Sequence, residues 1–127
     1  MAIDIPAPLA NPETEAFWES CDASKLTYRH CNACGEPHYY PRTYCPFCFS
    51  DDTEPREASG KGTIYTYSVM RRVAEPYAIA FVTLEEGPTI LSNVVDSDLD
   101  GLTIGQPVKL TFRQSTDGPL VPMFTCA

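Results

Sequence analysis

The sequence predicts a mainly β chain in three parts: a short N-terminal helix, a compact cysteine ribbon, and a small closed or nearly closed barrel of five strands. Three observations carry that reading. Twelve prolines recur along 127 residues, which argues against long uninterrupted helices. Four of the six cysteines stand as two C-x-x-C pairs in one short stretch. From Gly60 onward, Thr-, Tyr-, Ile- and Val-rich runs are separated by short turn signals.

Residues 1–10 are small, apolar and punctuated by proline, and are expected to run as an extended arm. Asn11-Pro12 then starts a helix, with an Asx side chain at the N-cap and proline at the first helical position. Glu13 and Glu15 fall in the first turn, where the helix dipole favours negative charge. Thr14, Phe17, Trp18 and Cys21 recur at helical spacing, so an amphipathic helix is predicted over about 12–23. Three turns do not hold alone in water. Phe17 and Trp18 must therefore dock, either on the chain's own barrel or as anchors on a partner subunit.

Cys31-Asn32-Ala33-Cys34-Gly35 and Cys45-Pro46-Phe47-Cys48 are two knuckles separated by ten residues. Each can aim two thiolates at one point, and Gly35 suits the tight turn that this needs. Together Cys31, Cys34, Cys45 and Cys48 supply the four sulfurs of a tetrahedral site at about 2.3 Å each. Zn2+ in a structural role is expected, because four protein ligands leave no position to activate water. A thioredoxin-like role needs a βαβ context that is missing here. Rubredoxin-type iron, and with it electron transfer, is the alternative. Cys21 and Cys126 read as small apolar residues. His30 and His38 read as surface or hairpin residues beside a site already complete.

Residues 51–59 are polar, contain Pro55, and read as a linker or the entry to the next unit. The strands expected after it are GTIYTYSVM, YAIAFVTL, TILSNVV, VKLTFR and LVPMF, with turns at Glu86-Gly87-Pro88 and Asp117-Gly118. In VKLTFR, Val108, Leu110 and Phe112 share one face and Lys109, Thr111 and Arg113 the other. So few strands leave costly edges unless the sheet curls on itself, which is the argument for a barrel. The chain is accordingly divided into residues 1–27 (arm and helix), 28–52 (ribbon) and 53–127 (barrel).

Nine basic residues against seventeen acidic ones give a formal charge of -8. That argues against a nucleic-acid binder, which needs a basic surface. The longest nearly apolar run, Tyr77 to Leu84, is far too short to span a bilayer. The N-terminus has neither a basic start nor an apolar core of the signal-peptide kind, so a cytoplasmic, reducing location is expected. Asp96-Ser97-Asp98-Leu99-Asp100-Gly101 opens like a calcium loop, but its twelfth position is Pro107. It reads as a polar turn. Gly60-Lys61-Gly62 lacks the spacing of a phosphate loop. No pair of acidic residues is picked out for catalysis. Arg42, Lys61, Arg71 and Arg72 are candidates for a local anion site. Among Tyr39, Tyr40, Tyr44, Phe47 and Phe49, most of which should pack the ribbon, Tyr40 is the candidate ring for stacking on a ligand.

These pieces, in this order, resemble the zinc-ribbon and OB-fold proteins of the DUF35 type. The resemblance runs through NPETEAFWES, KLTYRHCNACGEPHYYPRTYCPFC, REASGKGTIYTYSVMRR, PYAIAFVTLEEG, ILSNVVD, IGQPVKLTF and PMF, nearly the whole chain. The ribbon cysteines alone are generic, whereas their combination with SGKGTIYTYS and P-Y-x-I-A-x-V-x-L-E-E-G is specific. The resemblance implies a rubredoxin-like zinc ribbon followed by a five-stranded OB barrel. It also implies a non-catalytic accessory subunit of thiolase-superfamily enzymes, including lipid-transfer-type thiolases and aldolases. Such a subunit binds, stabilises or channels acyl-CoA within a hetero-oligomer. Only Cys31, Cys34, Cys45 and Cys48 carry over residue by residue, as metal ligands. A purely structural assembly subunit is the competing expectation, and a nucleic-acid module the less favoured one.

Overall fold

The computed structural model describes residues 4–127. The first three positions of the expected arm lie outside the described residues. From Asp4 the arm runs without regular structure to a turn over 12–14, and α1 spans Glu15–Asp22. Asn11 does the expected capping, one turn earlier than the helix proper. Its Oδ1 accepts from the backbone N–H of Glu13 (3.0 Å) and of Thr14 (3.1 Å). The Thr14 hydroxyl returns the favour by accepting from the Asn11 N–H at 2.9 Å. At the other end, the Asp22 carboxylate accepts from the Leu120 N–H at 2.9 Å and pins the helix to the last strand.

A three-stranded antiparallel sheet follows, in the order β2-β1-β3, with β1 at Thr27–Cys31, β2 at Pro37–His38 and β3 at Thr53–Glu57. Here the linker reading of residues 51–59 is corrected. Thr53–Glu57 pairs with β1 over five positions, from Thr27↔Glu57 to Cys31↔Thr53. β3 therefore belongs to the ribbon sheet, although it lies within the segment assigned to the barrel. Pro55 is tolerated because β3 is an edge strand, where a missing N–H need not break a ladder.

The remaining five strands close into a barrel in the order β4-β5-β6-β8-β7. They are β4 (Lys61–Met70), β5 (Tyr77–Leu84), β6 (Thr89–Val94), β7 (Pro107–Gln114) and β8 (Leu120–Cys126). β4 pairs with β5 along its length and with β7 over Lys61–Thr63, which closes the ring. A bulge at Tyr65 lets the long strand bend from one partner to the other. β6 and β8 meet in parallel at Val94↔Phe124, reinforced by the Val95 N–H donating to Phe124 O at 2.8 Å. Gly62 sits where β4 touches both neighbours; a Cβ there would stand 2.8 Å from the Thr83 carbonyl oxygen.

Alternation sorts the strand residues as the sequence requires. Ala78, Ala80, Val82 and Leu84 of β5 face inward with Ile64, Ile90, Val108 and Phe124. The same core takes in Phe17 and Cys21 from α1 and Leu26 just after it. Helix, ribbon base and barrel thus share one apolar interior. This corrects Phe17 as a partner anchor: it is 3% exposed, because the barrel is the surface on which the short helix docks.

Candidate metal centre

Each knuckle is built by its own backbone. The Gly35 N–H donates to Cys31 O (2.8 Å) and the Phe49 N–H to Cys45 O (2.9 Å), so both turns close identically. The residue after each pair adopts the left-handed region, Gly35 at φ 80° and Phe49 at φ 65°. Glycine does this freely, whereas a phenylalanine there is strained. The base of the ribbon is tied by the Asn32 N–H donating to Asp52 O at 2.8 Å.

The four sulfurs of Cys31, Cys34, Cys45 and Cys48 lie within 4.8 Å of one another. Cys31 and Cys48 are separated by 3.6 Å, and Cys34 and Cys45 by 3.7 Å. A tetrahedron with arms of about 2.3 Å has edges of about 3.8 Å, so the spacing of the donor set suits Zn2+. The Cys34 N–H, then that of Ala33 and the Cys48 thiol, favour a Cys31 thiolate and bring it down to about 7 against the cost of burial. Cys34 moves the other way, to about 12. The Glu36 N–H lowers it, but lost hydration and the thiols of Cys31, Cys45 and Cys48 outweigh that pull. Cys48 is pushed up as well, so the four crowded sulfurs resist carrying charge together. Zinc replaces that repulsion with four bonds and holds all four as thiolates. The metal is structural: four protein sulfurs complete its coordination.

The other expected site residues are scattered. Arg42 is exposed on the loop leaving β2, close to His38 and to Glu13. Tyr40 is 39% exposed, with its ring 5.6 Å from that of Phe17 and 5.9 Å from that of Tyr39. Lys61 opens β4 directly opposite Lys109. Arg71 and Arg72 follow the other end of the same ten-residue strand, on the order of 30 Å along the chain from Lys61. Arg71 pairs with Asp100 at 2.8 Å. The four cations therefore do not form one anion site. Trp18 is half-buried against the core, with an indole N–H that meets no acceptor among the described residues. Cys21 is wholly buried, which pushes its thiol up to about 12.

Two features were not anticipated. His38 lies in the β1–β2 hairpin as one of the expected readings had it, but it is 7% exposed, and neither ring nitrogen has a partner among the described residues. Burial, then Arg29 and Arg42, push its pKa down and favour the neutral ring. The second is a cavity of about 500 Å³ at one end of the barrel, between the arm and the start of β5. Its wall comes from widely separated segments, so no local pattern announces it. The calcium-like acids are confirmed as a turn. Asp98 accepts from the Asp100 N–H at 3.1 Å, and Asp96 is ion-paired with Arg113.

Comparison with known proteins agrees with this architecture. Residues 18–54 match the family model described as the ChsH2 rubredoxin-like zinc ribbon domain, and residues 55–113 that of the ChsH2 C-terminal OB-fold domain. A DUF35 domain-containing scaffold protein of Methanothermobacter thermautotrophicus is 38% identical over 96 residues, covering 70% of this chain and 72% of the relative. The chain belongs to the DUF35 family. A probable enoyl-CoA hydratase alpha subunit of Thermomonospora curvata is 31% identical over 124 residues, 94% of this DUF35 chain. The match covers only 39% of that relative, so this chain spans about two fifths of its length. Among solved structures, a chain of the Ltp2-ChsH2(DUF35) aldolase superposes with a TM-score of 0.84 at 30% identity, covering 94% of this DUF35 chain and 98% of that one. No helix among the described residues of this DUF35 chain is long and apolar enough to cross a membrane.

Proposed function

We propose that this chain is a non-catalytic accessory subunit that holds an acyl-CoA for a thiolase-like or aldolase partner, within a cytoplasmic hetero-oligomer. The observation that carries the reading is the near full-length likeness to a chain of the Ltp2-ChsH2(DUF35) aldolase. The chemistry is compatible with it. The closed tetrathiolate braces the ribbon and leaves bond-making to a partner. The cations at either end of β4 offer two separate places for phosphates on an acidic chain.

The test is co-purification from the native host, followed by titration of the isolated chain and of the complex with decanoyl-CoA. A thiolase-like protein in the eluate, and ligand contacts on this chain, support the reading. Reproducible absence of such a partner sinks it.

A specific observation favours a second reading, an assembly subunit that binds protein alone. Tyr44, Phe47 and Phe49 stand 61%, 62% and 77% exposed on the ribbon, as side chains awaiting a protein surface would. A complex that forms normally but takes up decanoyl-CoA with no contact to this chain would establish that reading instead.

A further inference from the structure

The cavity at the barrel end is a built feature. Ile5 and Pro6 of the arm, Tyr77 at the start of β5, Val95 just past β6, Leu99 and Met123 form its apolar wall. The arm is fixed across it: the Thr116 N–H donates to Ile5 O at 2.8 Å. Ala7 lies so close to Gly118 that a Cβ there would come within 2.5 Å of the alanine methyl. Packing this tight needs glycine and sets the course of the arm.

The polar groups on the wall are largely engaged. Asn93 donates to Ala78 O at 3.1 Å. The Ser97 hydroxyl donates to Val95 O at 2.9 Å and accepts from the Cys126 N–H at 3.0 Å. Asp96 is paired with Arg113, while Asp4 adds a second carboxylate to the lining. An apolar wall whose acids are Asp4 and an ion-paired Asp96 suits a neutral guest. The volume of about 500 Å³ lies within the range of small-molecule sites. At about 30 Å³ per water it equals about seventeen waters, room for an aliphatic or alicyclic acyl body.

Basic residues stand next to this wall. Met70 pairs with Tyr77, so Arg71 and Arg72 leave the sheet directly beside it. Arg71 holds Asp100, the neighbour of Leu99, in an exposed pair of the kind that exchanges partners at little cost.

We propose that the cavity takes the medium-chain or alicyclic acyl body of a thioester, leaving the anionic carrier outside against Arg71 and Arg72. This rests on the acyl-CoA reading above and extends it by placing the acyl group in the barrel end, away from the metal ribbon. A neutral thioester brings no charge beside Asp4, whereas a free carboxylate inside would be repelled by it; Asp96 is already compensated by Arg113. Each added methylene strengthens binding about fourfold.

The test uses the zinc-loaded chain with four probes: decanoyl-CoA, its neutral analogue decanoyl-N-acetylcysteamine, decanoate and free CoA. With the terminal methyl of the decanoyl group labelled, NMR should show contacts from it to Val95, Leu99 and Met123. The neutral thioester should bind more tightly than decanoate, and decanoyl-CoA about fifteenfold more tightly than octanoyl-CoA. Leu99→Trp should cut decanoyl-CoA affinity at least about tenfold. Arg72→Glu should weaken decanoyl-CoA but leave the neutral thioester unchanged. If decanoyl-CoA binds with its methyl elsewhere, or equally well to a folded Leu99→Trp chain, this placement is wrong while the acyl-CoA reading stands. If the neutral thioester reaches the cavity but neither CoA form binds, the placement holds and the CoA reading fails. The methyl contacts need no variant, so a misfolded Leu99→Trp chain does not spare the proposal.

Discussion

Replacing Cys45 with serine, or stripping the metal with a chelator, should undo the knuckles and stop there. Cys45 is fully buried among the four sulfurs, and without it the clamp between Cys31 and Cys48 opens. The metal closes a loop much as a cross-link would. For a loop of this length the freedom returned to the chain is worth about 3 kcal/mol. At about 1.4 kcal/mol per decade that is roughly a 150-fold rise in local opening. Four of the five register pairs of β1 with β3 lie outside the loop, the fifth being at its end on Cys31, and the barrel interior contains no zinc ligand. Hydrogen exchange read residue by residue is the assay. The amides of Gly35 and Phe49, bonded across the knuckles, should lose protection by about two decades. Those of Phe81 and Leu91, paired within the barrel, should keep theirs. The reasoning fails if barrel and knuckle amides exchange together, or if chelation changes neither set.

Three further outcomes follow from particular contacts. Phe49→Gly removes a left-handed phenylalanine costing about 1–2 kcal/mol and returns about half of that as unfolded-state entropy, so thermal unfolding of the holo protein should rise by up to about 1 kcal/mol. Glu13 accepts from the Thr43 hydroxyl at 2.7 Å and from the Thr43 N–H, which together hold its pKa below 4.5. A depressed carboxylate stabilises above its unfolded pKa, so the melting difference between wild type and Glu13→Gln should be full at neutral pH, shrink as pH falls below about 4.5 and be lost as pH passes through the lower folded-state pKa. Leu26→Ala empties a fully buried site in the shared interior and should cost about 2–5 kcal/mol in denaturant unfolding, with barrel and helix signals lost together.

What could be read in advance was what local chemistry forces. A tetrathiolate needs its ligands in close pairs, so Cys31, Cys34, Cys45 and Cys48 announced themselves. VKLTFR alternates because one face of β7 packs the interior, and Val108, Leu110 and Phe112 all belong to or border the core. β3 escaped notice for the opposite reason. Its residues are mostly exposed, so TEPRE carries no apolar period and is a strand only because β1 offers a free edge. The periodicity of α1 showed that Phe17 packs, but not against what. Grouping Lys61 with Arg71 failed because a long strand separates residues that look equivalent in composition. The cavity was invisible because its wall is gathered from the arm, three strand ends and the Asp98 turn.

The division of the interior explains why the ribbon needs a metal at all. Its base, Leu26 and Tyr28, packs on the barrel interior, leaving the knuckles themselves with little apolar burial of their own. Units this small are rarely stable without a staple. A metal supplies that staple at a point, independent of side-chain burial. The rest of the knuckle is therefore free to leave Tyr44, Phe47 and Phe49 in water, and to carry a left-handed phenylalanine. Structural zinc sites release on the order of 10 kcal/mol on binding, which exceeds that strain several-fold. In a ribbon held by hydrophobic packing, the same aromatics would be drawn inward. Held by four sulfurs, they remain outside, where a protein surface can meet them.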